Sequence, residues 1–96
     1  MRMVMCSIRD FKSEIYMRPW FAQATGAAIR MFQDEVNRND PDNMLNRHPA
    51  DFALYEIGLF DDSEGVVYPY DVKKLLMEGS QATVNYKLPE GVAVVK

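Results

Sequence analysis

The chain has 96 residues, 48% hydrophobic and 26% charged, with a formal net charge of −3 and a single cysteine. That composition specifies one globular domain with a modest core, burying about 60% of the surface its unfolded form exposes, and excludes a chain disordered throughout. The acidic balance argues against tight nonspecific binding to duplex DNA; Cys6 alone excludes an intramolecular disulfide and a cysteine-rich zinc site; and no apolar run approaches the ~18 residues of a membrane span.

The first predicted strand is Arg2 to Arg9, in which Val4, Cys6 and Ile8 alternate with Met3, Met5 and Ser7. Asp10-Phe11-Lys12-Ser13 is a turn. A second, antiparallel strand is expected from Glu14 to Phe21, with Ile15 and Met17 on one face and Tyr16, Arg18 and Trp20 on the other. Pro19 marks it as an edge strand or one ending in a bulge. Thr25 is a candidate cap for a helix over Gly26 to Asn37, whose apolar stripe is Ala28, Ile29, Phe32 and Val36. Asn37 to Asn43, with Pro41, ends the helix, and Asp40 to Ala50 reads as a loop anchored by Met44 and Leu45.

Ala53 to Phe60 is apolar on both faces and suits a central strand. Asp61 to Gly65 is a hairpin turn, and Val66 to Tyr70 returns, with Pro69 again marking an edge. Asp71 is a candidate cap for a short helix through Met77, stopped by Gly79. The tail offers a strand at Thr83 to Leu88 and a short apolar run at Val92 to Lys96. The expected fold is α+β: an antiparallel sheet in β-β-α-β-β order with one main helix on one face. Residues 1–79 form the domain and 80–96 an extension, a strand that pairs in cis or with another subunit. The expected core is Val4, Cys6, Ile8, Ile29, Phe32, Val36, Leu54 and Ile57.

No catalytic arrangement stands out. His48 lies on a loop beside Arg47 with no motif-placed cysteine or serine, and reads as a packing residue able to touch phosphate when protonated. Asp61, Asp62 and Glu64 lack calcium-loop spacing and read as a solvated turn. The buried thiol reading suits Cys6. Neither an enzyme, a cofactor nor a metal is expected. The better signal is a stacking platform of Tyr16, Arg18, Trp20 and Phe21, with Arg2 and Arg9 on the neighbouring strand and Arg30, Arg47 and His48 as further phosphate contacts. Against it stands plain packing of Tyr16 and Trp20 under the helix or at a dimer interface.

The motifs occur in a telling order. Tyr16-Met17-Arg18-Pro19-Trp20-Phe21 precedes a Gly-Ala-Ala-Ile-Arg-Met-Phe helix; Asn46-Arg47-His48-Pro49-Ala50-Asp51-Phe52 and Leu54 to Asp62 follow. Over about residues 3 to 70 this resembles the small nonstructural protein of microviruses, gokushoviruses in particular. The resemblance implies a protein made in the infected bacterial cytoplasm, absent from the capsid, and DNA-binding, with a role in handling the circular single-stranded genome. The acidic balance and the tail from Ser80 depart from that pattern. The expectation is therefore a phage accessory protein that binds single-stranded DNA during genome replication. The rival is an oligomeric protein-interaction module engaging a phage or host replication protein. Self-association, as a homodimer or higher homo-oligomer, is expected from the short chain and its edge strands.

Overall fold

Alternation along the first strand decides which way the sheet faces. In the computed structural model, which describes residues 1–83, β1 (Arg2–Asp10) turns Val4, Cys6 and Ile8 into the core. Met3, Met5 and Arg9 take the opposite face, since successive side chains of a strand diverge. The chain continues through β2 (Ile15–Tyr16), β3 (Trp20–Ala22), α1 (Thr25–Val36), α2 (Met44–Arg47), a 3-10 turn (Pro49–Asp51), β4 (Phe52–Asp61), β5 (Val66–Glu78) and α3 (Gly79–Ala82). The strands form one antiparallel sheet in the order β2-β1-β4-β5, with β3 also on β1. The α/β mixture, the antiparallel sheet and the central place of β4 agree with the sequence.

One face of the sheet is covered. α1 lays Ala28, Phe32 and Val36 against it at helical spacing, and Leu45 from α2 joins Phe52 and Leu54 of β4 beneath. Six of the expected core residues are buried: Val4, Cys6, Ile8, Phe32, Val36 and Leu54. Ile29 packs half-buried against them. Ile57 stands outside the cluster, half-buried, because β4 carries an extra residue there: Met5 pairs with Gly58 but Cys6 with Glu56. The bulge turns Gly58 and Phe60 away from the helix, although straight alternation puts them with Leu54.

The two hairpins turn on the same five-residue device. Asp10 accepts the Lys12 and Ser13 N–H groups on its carboxylate, and its carbonyl accepts from Glu14 N–H at 2.8 Å. Asp61 accepts from the Ser63 N–H and hydroxyl, and its carbonyl accepts from Gly65 N–H at 2.8 Å. Hydrogen bonds from Ser13 and Ser63 respectively hold both carboxyls below the usual range. The closing residue is left-handed in both, Glu14 at φ 62° and Gly65 at φ 69°. Only the second turn has the residue that takes this conformation without steric cost.

Four local expectations are corrected. The second strand is two short ones, because Pro19 interrupts the ladder: Arg9 pairs with Tyr16, yet Cys6, three residues along, pairs with Trp20, four along. The expected helix at 71–77 is strand, since β5 runs on to Glu78 and pairs Leu75 with Tyr55 and Met77 with Leu54. The free edge of β4 needed that partner, and pairing overrode local propensity. The expected loop at 40–50 contains α2; Leu45 is buried, but Met44 is 52% exposed. Thr25 is inside α1 rather than its cap, and Ala24 at the cap makes no side-chain bond. The strand expected at Thr83 to Leu88 and the apolar run Val92 to Lys96 lie outside the described residues, apart from Thr83.

Candidate functional site

The face of the sheet away from α1 carries two aromatic pairs. Tyr16 and Tyr55 meet edge to face, ring centroids 5.8 Å apart at 73°. Phe21 and Phe60 lie 5.3 Å apart at 46°. The first pair sits level with Arg9 and Ser7 of β1 and the second with Met5 and Met3. Four residues of strand separate the two levels, about 13 Å. Tyr16 and Phe21 keep 36% and 42% of their surface exposed, whereas Tyr55 and Phe60 are half-buried.

Cations gather at the tyrosine pair. The Arg9 guanidinium stands 5.2 Å from the Tyr16 ring centre and 5.6 Å from that of Phe11, and the Lys73 ammonium 5.6 Å from Tyr16. A ring face attracts a cation through its quadrupole, worth ~0.5–1 kcal/mol when exposed. The arrangement presents flat rings beside two positive charges, which is the chemistry that receives bases and phosphates. At the far end of this face the acidic turn begins, and Asp62 there is bound by the N-terminal ammonium at 2.8 Å.

Of the residues singled out in the sequence, only Arg9, Tyr16 and Phe21 reach this face. The extra residue at Pro19 flips the alternation, so Trp20 faces the core beside Cys6 and packs half-buried against it. The shared face expected for Tyr16, Arg18 and Trp20 is thereby corrected. Arg18 is exposed at the rim of a cleft on the helix side. Arg30 is exposed on α1. Arg47, at the end of α2, donates to the Pro41 carbonyl at 3.4 Å, and His48 follows it, exposed. None of these four joins the aromatic pairs.

Arg9, Tyr55, Phe60 and Lys73 complete the face; the sequence placed Arg9 on the strand beside the platform but grouped neither Tyr55, Phe60 nor Lys73 with it. Tyr55 carried a usable signal: it alternates with Leu54 and Glu56 and so had to face away from the helix. Lys73 carried none, because it was read as helical.

The interior polar groups serve the fold. Glu56 is 3% exposed. Its carboxylate accepts from the Thr25 hydroxyl at 2.7 Å and the Tyr70 hydroxyl at 2.5 Å, with the Lys74 ammonium at 3.9 Å. Thr25 opens α1, so a strand carboxylate sits where a helix favours negative charge. Burial, and then the Glu56 charge, push the Cys6 thiol up to about 11. That is the opposite of the depression that activates a nucleophile. Among the described residues no cluster of three or more His, Cys, Asp and Glu is placed to hold a metal, and no helix is long and apolar enough to cross a membrane.

Comparison with known proteins places the chain. The Phage ORF5 protein family matches residues 3–82. Protein ORF5 of Chlamydia phage 1 is 40% identical over 73 residues, covering 74% of this chain and 76% of that protein. No solved structure matches. The matched span takes in all the described strands except Arg2 of β1, and both aromatic pairs. The chain therefore belongs to the phage ORF5 protein family, the small nonstructural proteins of microviruses of the gokushovirus type.

Proposed function

We propose that the protein binds single-stranded DNA on the open face of its sheet, in the cytoplasm of the infected bacterium, during replication of the phage genome. One observation carries the reading: Tyr16 and Tyr55 stand beside Arg9 and Lys73 on a face that no described helix covers. A base stacked on an aromatic ring is worth about 1–3 kcal/mol and needs no sequence code. Two cations are few, and the net charge is −3. Affinity is accordingly modest and falls with salt, by about 0.7 in log–log slope per phosphate contact on single strands.

The test is fluorescence anisotropy of a labelled oligothymidine at two salt concentrations. Arg9→Ala with Tyr16→Ala should weaken binding by about 1–3 kcal/mol or more and flatten the salt slope. Arg18→Ala, Arg30→Ala, Arg47→Ala and His48→Ala lie off this face and should leave affinity nearly unchanged. Equal binding by the double variant and the parent would remove the proposed face. Absence of salt-sensitive binding by the parent at about 50 mM salt, where screening is weak, would remove the DNA reading itself.

Self-association belongs to the same reading. β5 is the outer strand of the described sheet and exposes Val66, Val67, Val72 and Leu75 by 38%, 49%, 80% and 53%. An apolar edge of that length invites pairing with a second copy. Light scattering at micromolar concentration should give a dimer mass, and a monomer mass would remove this element.

A further inference from the structure

The two aromatic pairs of the open face differ in their charge. At the tyrosine pair the Arg9 guanidinium and the Lys73 ammonium stand 5.2 and 5.6 Å from the Tyr16 ring centre. At the phenylalanine pair, among the described residues, no cation stands over either ring. Phe21 is nonetheless 42% exposed, more than Tyr16 at 36%. It lies 5.3 Å from Phe60 and is level with Met5, so this end of the face is apolar as well as open. Just beyond it comes the acidic turn. The N-terminal ammonium takes Asp62 there at 2.8 Å, while Glu64 is exposed with no ion-pair partner among the described residues. A phosphate is attracted at the tyrosine end and repelled at the phenylalanine end.

Spacing supplies the scale. Four residues of strand, about 13 Å, separate the two levels. Successive bases of a stacked strand lie ~3.4 Å apart along its axis. Two bases seated on the two pairs are therefore about four steps apart in a stacked strand, and fewer in an extended one. A second copy of the chain could also cover an apolar end. The base is favoured by continuity: both pairs lie on one face, in line, with the cations at one of them.

We propose that Phe21 and Phe60 form a second stacking subsite of the single-stranded DNA site, one that receives a base without holding a phosphate. The inference rests on the DNA reading of the open face and adds to it a length and a division of labour. The face takes a run of about three to five nucleotides, near the low end of single-strand site sizes. The backbone is held at Arg9 and Lys73 and leaves the face before the acidic turn. The tyrosine end thus sets the salt dependence, and the phenylalanine end sets how many bases must be present.

The probes are labelled hexathymidine and a hexamer of the same backbone that keeps two adjacent bases and is abasic elsewhere. Both carry the same phosphates, but only the first can stack on both pairs. Each is titrated by anisotropy at two salt concentrations into chains shown folded by circular dichroism. Phe21→Ala should weaken hexathymidine binding about fivefold or more and leave the two-base hexamer unchanged. Its salt slope should stay that of the parent, whereas Arg9→Ala should flatten the slope for both probes by about 0.7. Phe21→Leu should behave like Phe21→Ala, and Phe21→Trp, which keeps a ring, like the parent. Salt-sensitive hexathymidine binding that is equal in Phe21→Ala and the parent would overturn the subsite and leave the tyrosine end standing. So would an equal loss with both probes, since Phe21 would then act through the fold. Absence of salt-sensitive binding by the parent would remove the DNA reading and the subsite together. A lower mass of Phe21→Ala in light scattering, with hexathymidine affinity unchanged, would give this end to a second copy and equally overturn the proposal.

Discussion

On the covered face of the sheet Cys6, Leu54 and Phe32 retain at most 1% of their surface, and the one carboxylate among them, Glu56, is bonded by Thr25 and Tyr70. On the open face Tyr16 and Phe21 retain 36% and 42%, held by ring edges and by cations. The same strands supply both faces. The covered one is fixed by volume and by satisfied polar groups, and a change there spreads through the fold. The open one is a surface whose rings are kept accessible, so its residues are separable from stability. Stability and binding should accordingly respond to different substitutions.

The largest expected effect is on the covered side. Phe32→Ala removes a ring that is 1% exposed between α1 and β4 and should cost about 3–5 kcal/mol. A domain of this size has only ~5–15 kcal/mol in total. A thermal melt with an unchanged midpoint would break the comparison, by showing the helix face to be slack.

Glu56→Gln comes next. It replaces an acceptor of two hydroxyl bonds and should cost about 1–3 kcal/mol in denaturant unfolding, with any oligonucleotide binding by the proposed face unchanged. Its pH signature sharpens the point. The hydrogen bond to Glu56, with burial, raises Tyr70 from 10.0 to about 12, and burial with the Glu56 charge raises Cys6 from 9.0 to about 11. Both groups keep their protons longer folded than unfolded. The stability linked to them is therefore complete below about pH 9 and lost as pH rises toward 12. Melts from pH 7 to 11 should show this decline, and Glu56→Gln should soften it.

Smaller effects are expected on the open side. Tyr16→Ala and Phe21→Ala should each change stability by no more than about 1 kcal/mol, the scale of an aromatic pair. Their effect should fall on oligonucleotide affinity. A collapse of the fold in either variant would make the open face structural and erase the distinction between the two faces.

The smallest effect compares the two turns rather than the two faces. Glu14 holds the left-handed conformation that Gly65 holds in the equivalent turn. Glu14→Gly should raise stability by up to about 1 kcal/mol, the relieved strain less the extra freedom of glycine when unfolded. Gly65→Ala should lower it by a similar amount. Destabilisation by Glu14→Gly would show that Glu14 has a role beyond the turn.

By itself the sequence determined whatever periodicity and short-range chemistry govern. Val4, Cys6 and Ile8 declared the buried side of β1; Ala28, Phe32 and Val36 declared the buried stripe of α1; Ala53 to Phe60 declared the central strand; Asp61 to Gly65 declared its turn. The motif order pointed to the family that the comparisons then showed. Only tertiary structure decided where alternation fails. One residue inserted at Pro19 sends Trp20 inward and leaves Tyr16 outside, and one at Glu56–Gly58 turns Phe60 to the open face. A shift of one residue exchanges the faces of a strand, and which residue is skipped depends on the partner strand, not on the local sequence. Residues 71–77 are strand for the same kind of reason: Leu54 and Tyr55 of β4 required an edge to pair with, and that requirement sits some twenty residues away in the chain, beyond the reach of any local pattern.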